Sequence, residues 1–284
     1  MDQYAKPEAL VSTGWLADHV DDADVTVVDV GLDSSPHEAG HIPGAVAWSA
    51  VGTLVRADYR TNLDPIHVES LLGSAGISHD TTVVVTSEHP ALAPWAYWYL
   101  KTIGHRNVRV LDGGQRKWVA ERRPLTTNVA DIAPVTYAAA PLDSSRRAQL
   151  DDVEAGVDND RCVLLDVRTP EEYRGELFML APPTGGERSG HIPGAVQLYY
   201  EQALNDDGTF RSVEELRSLY EQAGVSSDKN VIVYCAVGMR AGHTWFVLSE
   251  LLGYPEVANY DRSWNEWGRQ PDTTIEREAP ESGA

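Results

Sequence analysis

At 284 residues the chain exceeds the usual single-domain size, which points to two domains of about 140 residues, each able to bury a core. A hydrophobic content of 42% and the absence of any run of roughly 18 apolar residues exclude a membrane-spanning helix. A net charge of −20 repels polyanions, so neither nucleic acid nor an anionic membrane is an expected partner.

The start, Met-Asp-Gln-Tyr-Ala-Lys-Pro-Glu, has an acid at position two and no apolar h-region, and is read as cytoplasmic. The only cysteines, Cys162 and Cys235, are too few for a secreted disulfide scaffold, and a reducing compartment leaves both as thiols. Lysine occurs only at Lys6, Lys101, Lys117 and Lys229. Such acid-rich, lysine-poor usage is similar to that of proteins from salt-loving organisms. Screening of self-repulsion then predicts a gain in stability from low to molar salt, checked by thermal unfolding across a salt series.

In chain order, apolar strands are predicted at 25–30, 82–86 and 108–111, and again at 163–167, 231–234 and 257–260, with helical stretches between them. Strands alternating with helices imply an α/β fold with mostly parallel sheets flanked by helices. Gly-His-Ile-Pro-Gly-Ala-Val at 40–46 recurs at 190–196, each time after a strand ending in Asp-Val (Asp29-Val30, Asp166-Val167). Gly104, Val108, Asp112 and Trp118 recur as Gly253, Val257, Asp261 and Trp267. One unit has therefore been duplicated. The second copy carries about 13 extra residues before Gly190, among them the loop-like stretch 181–188. The expected organisation is a first domain at 1–126, a Pro-, Ala-, Ser- and Thr-containing linker at 127–147, a second domain at 148–276 and a disordered tail at 277–284.

Residues 231–240, Val-Ile-Val-Tyr-Cys-Ala-Val-Gly-Met-Arg, end a buried strand at Cys235 and lead at once into a helix-like run at 241–252. Inward N–H groups and the helix dipole favour an anion on the sulfur, and Arg240 supplies a cation, so a reactive thiolate is expected. A cysteine ending a core strand is more often a small apolar residue, as Cys162 at the start of its strand is read to be. Around Cys235, Gly238 and Arg240 reverse that reading. The first copy has Thr86-Ser87-Glu88 where the second has Tyr234-Cys235-Ala236; its prolines remove N–H donors and its acid opposes an anion. The first domain is accordingly expected to be inactive and structural.

With these features the chain resembles the tandem-domain rhodaneses, the thiosulfate and 3-mercaptopyruvate sulfurtransferases. The marks are Asp166-Val-Arg-Thr-Pro-Glu-Glu-Tyr173, both Gly-His-Ile-Pro-Gly-Ala segments, the strand-ending cysteine loop and Tyr260-Asp-Arg-Ser-Trp-Asn-Glu-Trp267. The resemblance implies two rhodanese-like domains and Cys235 as the nucleophile. It attacks the outer sulfur of a donor and passes the persulfide sulfur to cyanide, a dithiol or a thioredoxin-like acceptor, without a cofactor. Ala236, Val237, Gly238, Met239 and Arg240 are the expected persulfide and substrate cradle. Ala236 and Val237 fit neither the basic residue that often follows the cysteine in thiosulfate users nor the small and hydroxyl residues of mercaptopyruvate users. Arg240 inclines the reading to thiosulfate, with 3-mercaptopyruvate as the alternative. Arg262 replaces the glycine usual between Asp261 and Ser263.

Arg174 and Arg188 flank the insertion and are candidates to reach the cleft and bind a donor carboxylate or sulfonate, although solvated surface arginines are commoner. Arg168 is expected in a structural ion pair, and His41 and His191 in turn architecture. His243 is expected to face solvent, or else to tune Cys235 electrostatically. Trp118, Trp264 and Trp267 are read as core or interface packing. No metal site is expected, since the nine histidines show no paired ligand spacing. A cysteine phosphatase is disfavoured, because four residues separate Cys235 from Arg240 where a phosphate loop has five; a sulfur-relay module remains the third reading.

Overall fold

In the computed structural model, which describes residues 3–184 and 187–277, the first sheet forms from β1 (Leu10–Val11), β2 (Val25–Gly31), β3 (Val46–Ser49), β4 (Thr82–Thr86) and β5 (Val108–Leu111). Its order is β1-β5-β4-β2-β3, with every pairing parallel. The helices are α1 (Thr13–His19), α2 (Ser35–Ala39), α3 (Pro65–Ser74), α4 (Leu92–Thr102) and α5 (Gly114–Ala120). Each starts where the sequence supplies an N-terminal signal or a turn: Ser12 Oγ accepts from Trp15 N–H, and Asp64 caps α3 ahead of Pro65.

The second unit runs α6 (Leu150–Gly156), β6 (Cys162–Asp166), α7 (Pro170–Arg174), β7 (Val196–Gln197), α8 (Val213–Gln222), β8 (Asn230–Tyr234), α9 (Met239–Phe246), β9 (Val257–Asn259) and α10 (Ser263–Trp267). Its sheet, β7-β6-β8-β9, is also parallel throughout. The six strands expected from apolar runs are present, with ends displaced by a residue or so. Strands β1 and β7, of two residues each, are too short to show an apolar run, and β3, Val-Ala-Trp-Ser, is interrupted by the exposed Ala47 and ends in a serine. Residues 127–147 hold only a single 3-10 turn, Ser144–Arg146.

Register makes the duplication exact at the site. Asp29 pairs with Thr86 in the first sheet and Asp166 with Tyr234 in the second, so Ser87 and Cys235 leave equivalent strands at the same point. From Ser87 to Gly104 is one residue shorter than from Cys235 to Gly253. The π-helical turn Val247–Leu251 after α9 absorbs the extra residue, as a one-residue helical insertion does.

The two domains meet through α4 and α9. Gly242 permits the approach, since a Cβ there would stand 2.6 Å from Trp95 Cδ1. Beside it, Tyr97 and Phe246 meet edge to face at 4.8 Å. The buried Glu250 carboxylate takes hydrogen bonds from Tyr97 Oη and Lys6 Nζ, both 2.9 Å. Trp118, Trp264 and Trp267 are buried core residues as expected, their indole N–H groups given to the carbonyls of Pro124, Arg188 and Thr274. His41 and His191 also hold turns: each Nδ1 lies 2.8 Å from a carbonyl, of His37 and Tyr173 respectively. The tail expected at 277–284 lies outside the described residues except for Arg277, whose Nε donates to Ser189 O.

Candidate functional site

Cys235 sits at the carboxyl end of β8, 1% exposed, where the chain turns sharply to start α9. Gly238 makes that turn. Its φ of +85° suits glycine, and a Cβ there would lie 2.4 Å from Asp261 O. With the loop so folded, Gly238 N–H donates to Cys235 Sγ at 3.1 Å. Asn259 Nδ2 holds the Gly238 carbonyl (3.1 Å), and the first turn of α10 ties down the loop, Trp264 N–H to Cys235 O (3.0 Å) and Asn265 N–H to Ala236 O (2.9 Å). Asp261 is fixed in turn by two bonds from Arg147 of the interdomain segment, at 3.0 and 3.1 Å. Ala236 and Met239 are buried and Val237 half-buried, so the loop presents main chain to the sulfur rather than bulky polar side chains.

Arg240 differs from its expected role as a lone cation beside the thiol. Its two terminal nitrogens donate to Glu172 at 2.7 and 2.9 Å, and the Glu172 side chain is fully buried. Burial disfavours the Arg240 charge, but the Glu172 bonds and the nearby Cys235 sulfur hold the guanidinium above the usual arginine range. Burial acts against the Glu172 carboxylate too, and bonding to Arg240 overrides it, keeping that carboxyl below its ordinary value. Glu172 is also the third residue of α7 and closes a capping box with Thr169. A single carboxylate thus links the start of α7 to the cysteine loop.

Ser263 was also missed by sequence reasoning. Its φ is +52°, although it is not glycine and is fully buried. The equivalent first-domain residue, Gly114, has φ +57°. At that price in conformation the Ser263 hydroxyl accepts the Cys235 N–H at 3.0 Å, donates to Tyr260 O at 2.7 Å and stands 4.0 Å from Cys235 Sγ.

Arg174 and Arg188 are not brought to Cys235. Arg174 turns to Glu176 (2.8 Å) and Glu171 (3.6 Å) at the surface. Arg188 is spent on the chain's C-terminal segment, bonding Gln270 O, Thr273 O and Thr273 Oγ1. Arg168 forms the structural ion pair expected of it, wholly buried with Asp166 at 2.6 Å. His243 does not face solvent. It is fully buried between the Tyr200 and Phe210 rings, and burial pushes its pKa down to about 3, so the ring is neutral. Cys162 is half-buried against Gly156, and burial raises its pKa, in keeping with an inert thiol. Among the described residues no cluster of His, Cys, Asp and Glu could hold a metal, and no helix is long and apolar enough to cross a membrane.

The Rhodanese-like domain model matches the chain twice, at residues 12–121 and 149–270. A Thermus thermophilus protein named "Sulfur carrier protein TtuD" is 45% identical over 271 residues, 93% of this chain and 95% of its own length. Proteins named "Putative thiosulfate sulfurtransferase" from Mycobacterium leprae and Haloferax volcanii are 41% and 40% identical, each across 96% of this chain and 99% and 98% of their own. Among solved structures, wild-type EanB superposes with a TM-score of 0.88 at 24% identity, covering 99% of this chain and 72% of its own. The anaerobic ergothioneine biosynthesis enzyme from Chlorobium limicola, in complex with trimethyl histidine, gives 0.87 at 24% with the same coverage. These structures share the fold. Two matched domains and full-length relatives agree with the paired sheets and the cysteine loop: the chain belongs to the rhodanese family of sulfurtransferases, as a tandem of two rhodanese-like domains.

Proposed function

We propose that this protein is a thiosulfate sulfurtransferase working through a Cys235 persulfide. The Cys235 thiolate attacks the outer sulfur of thiosulfate, the S–S bond of the donor breaks, and sulfite leaves with the bonding pair. Cyanide or a thiolate then attacks the terminal persulfide sulfur, takes it, and returns the Cys235 thiolate. The observation that carries this reading is the Gly238 N–H aimed at Sγ at 3.1 Å, within a loop closed after four residues by Arg240. Such a ring suits one added sulfur atom and is one residue short of a phosphate cradle. The names of the mycobacterial and haloarchaeal relatives support thiosulfate as donor. We assign the first domain a structural role, since Ser87 stands where the thiol would be, and we place the protein in the cytoplasm on the strength of its two free thiols.

The Glu172 bonds to Arg240 favour a second reading. They offset part of the positive charge that a dianion would use, which suits the singly charged 3-mercaptopyruvate. Incubation with each donor followed by intact-mass measurement tests both readings. Wild-type protein is expected to gain one sulfur atom from thiosulfate, and Cys235→Ser none. Loading from 3-mercaptopyruvate alone would transfer the assignment to that donor, and loading from neither would sink sulfur transfer.

A further inference from the structure

The domains are related by an approximate two-fold axis, because α4 and α9, equivalent helices of the two repeats, pack on each other. An interface of that kind sets equivalent segments on both sides of the axis, so one side shows which segments to expect on the other, with contacts that follow each repeat's own side chains. On the first-domain side, a second-domain hairpin closed by the Leu204 to Phe210 bridge lies across the end of the first sheet. Gly208 at its tip, φ +84°, stands against Gly113. Two bonds pin this hairpin: Phe210 N–H to Asp112 at 3.0 Å and Lys117 to Asp207 at 2.9 Å. A cavity of about 700 Å³ lies between the hairpin and the Ser87 loop.

The same hairpin occurs in the first domain, closed by the Val55 to Thr61 bridge. Arg56 N–H to Arg60 O and Tyr59 N–H to Arg56 O match Asn205 N–H to Thr209 O and Gly208 N–H to Asn205 O. Tyr59 is therefore the counterpart of Gly208 in the repeat, and Arg262 that of Gly113. Tyr59 keeps the left-handed backbone, φ +63°, which the second-domain hairpin gives to glycine, and it is 41% exposed. Strain of this kind at a bulky residue persists where the side chain is used.

The pins also differ. Asp261, the counterpart of Asp112, is taken by Arg147, and the Lys117 and Asp207 pair is replaced by two acids, Glu266 and Asp58. Among the described residues no hydrogen bond or ion pair joins residues 55–62 to the second domain. A hairpin left unpinned on the Cys235 side alone can yield to an incoming molecule.

We infer that Tyr59, carried on this first-domain hairpin, forms the outer wall of the Cys235 cleft and contacts the sulfur donor. Its phenol donates to an oxygen of a small oxyanion while Cys235 attacks from the inner wall; the guanidinia of Arg262 and Arg60 are held by Glu266 at 2.8 Å and Asp58 at 3.5 Å. This assignment rests on the sulfurtransferase reading above and gives the first domain a part in substrate selection.

Steady-state kinetics on Tyr59→Gly and Tyr59→Phe test it. Glycine accepts the left-handed backbone, as Gly208 does, so the fold is retained. The KM for thiosulfate is expected to rise about fivefold or more in Tyr59→Gly, with kcat within about twofold of wild type, and to rise less in Tyr59→Phe. An unchanged KM in both variants overturns the proposal. Its placement is checked without turnover in a Cys235→Ser background carrying Tyr59→Cys and Arg262→Cys, which oxidised glutathione is expected to cross-link; failure to cross-link overturns the placement. Failure of the wild type to gain sulfur from any donor would instead remove the sulfurtransferase reading and leave the cross-link result standing.

Discussion

Glu172→Gln is expected to destabilise the protein by about 3–5 kcal/mol, the range for breaking one side of a buried ion pair. Arg240 has a side chain only 12% exposed, and its guanidinium would keep its charge without a carboxylate to meet it. The Arg168 guanidinium also favours the Glu172 carboxylate, while itself remaining paired with Asp166. At this chain length the loss lowers the midpoint of thermal unfolding by about 6 °C or more. The double variant Glu172→Met, Arg240→Leu removes both charges and is expected to recover most of the stability while sulfur loading of Cys235 stays impaired. If the double variant instead loads sulfur at the wild-type rate, Arg240 has no part in the reaction. The pair also fixes a sign for acid stability. The folded Glu172 carboxyl lies below its ordinary value of 4.5, so its contribution is present above that value and fades as pH falls through the depressed folded one. Glu172→Gln should therefore flatten the acid limb of a stability profile measured by urea unfolding.

The first domain shows why this pair is not required for folding. Its loop from Ser87 to Leu92 contains no arginine or lysine, yet its sheet has the same register and its helix the same place. Among the described residues the pair stands beside the thiol and has no counterpart at the Ser87 loop. Nothing local in the sequence announced it, because Glu172 and Arg240 are 68 residues apart and Glu172 already had a sufficient local explanation in the Thr169 capping box. A polar group that satisfies a short-range rule can carry a long-range bond as well, and periodicity contains no trace of the second.

The legible parts were those that repeat or follow from runs of side chains. Apolar strands announce parallel sheets through burial on both faces, and the duplicated Gly-His-Ile-Pro-Gly turn marks where each unit folds back. The place of Cys235 was readable because a strand end followed by a helix start leaves few geometries for the thiol. Arg188 and His243 were misjudged because their surroundings come from distant segments. The C-terminal carbonyls of Gln270 and Thr273 claim the first, and the rings of Tyr200 and Phe210 enclose the second. The substitution of Arg262 for glycine marked this turn without showing that the next residue meets the sulfur. Comparing the copies through the end of β5 and β9 sets Gly113-Gly114 against Arg262-Ser263, and it is the serine that reaches the sulfur.

Ser263→Gly is accordingly expected to separate stability from chemistry. Glycine relieves the positive φ and restores what the first domain has at Gly114, which offsets the loss of the hydroxyl's bonds to Cys235 N–H and Tyr260 O. The unfolding midpoint should change little. Sulfur loading should not survive as well. The hydroxyl proton has two acceptors within reach, Tyr260 O at 2.7 Å and Cys235 Sγ at 4.0 Å, and the balance between them moves toward the sulfur when the sulfur carries negative charge. Losing a hydrogen bond to a charged atom costs about 1.5–3 kcal/mol, which is a fall of about 10- to 100-fold in the rate at which thiosulfate loads Cys235. Ser263→Ala supplies the contrast: it loses the same hydroxyl and keeps the strained backbone, so it should load as slowly as the glycine variant and unfold at a lower temperature. Single-turnover loading followed by mass, with thermal unfolding alongside, reads both quantities. If Ser263→Gly loads sulfur at the wild-type rate, the strained serine serves only the backbone turn and the cysteine is held by Gly238 and α10 alone.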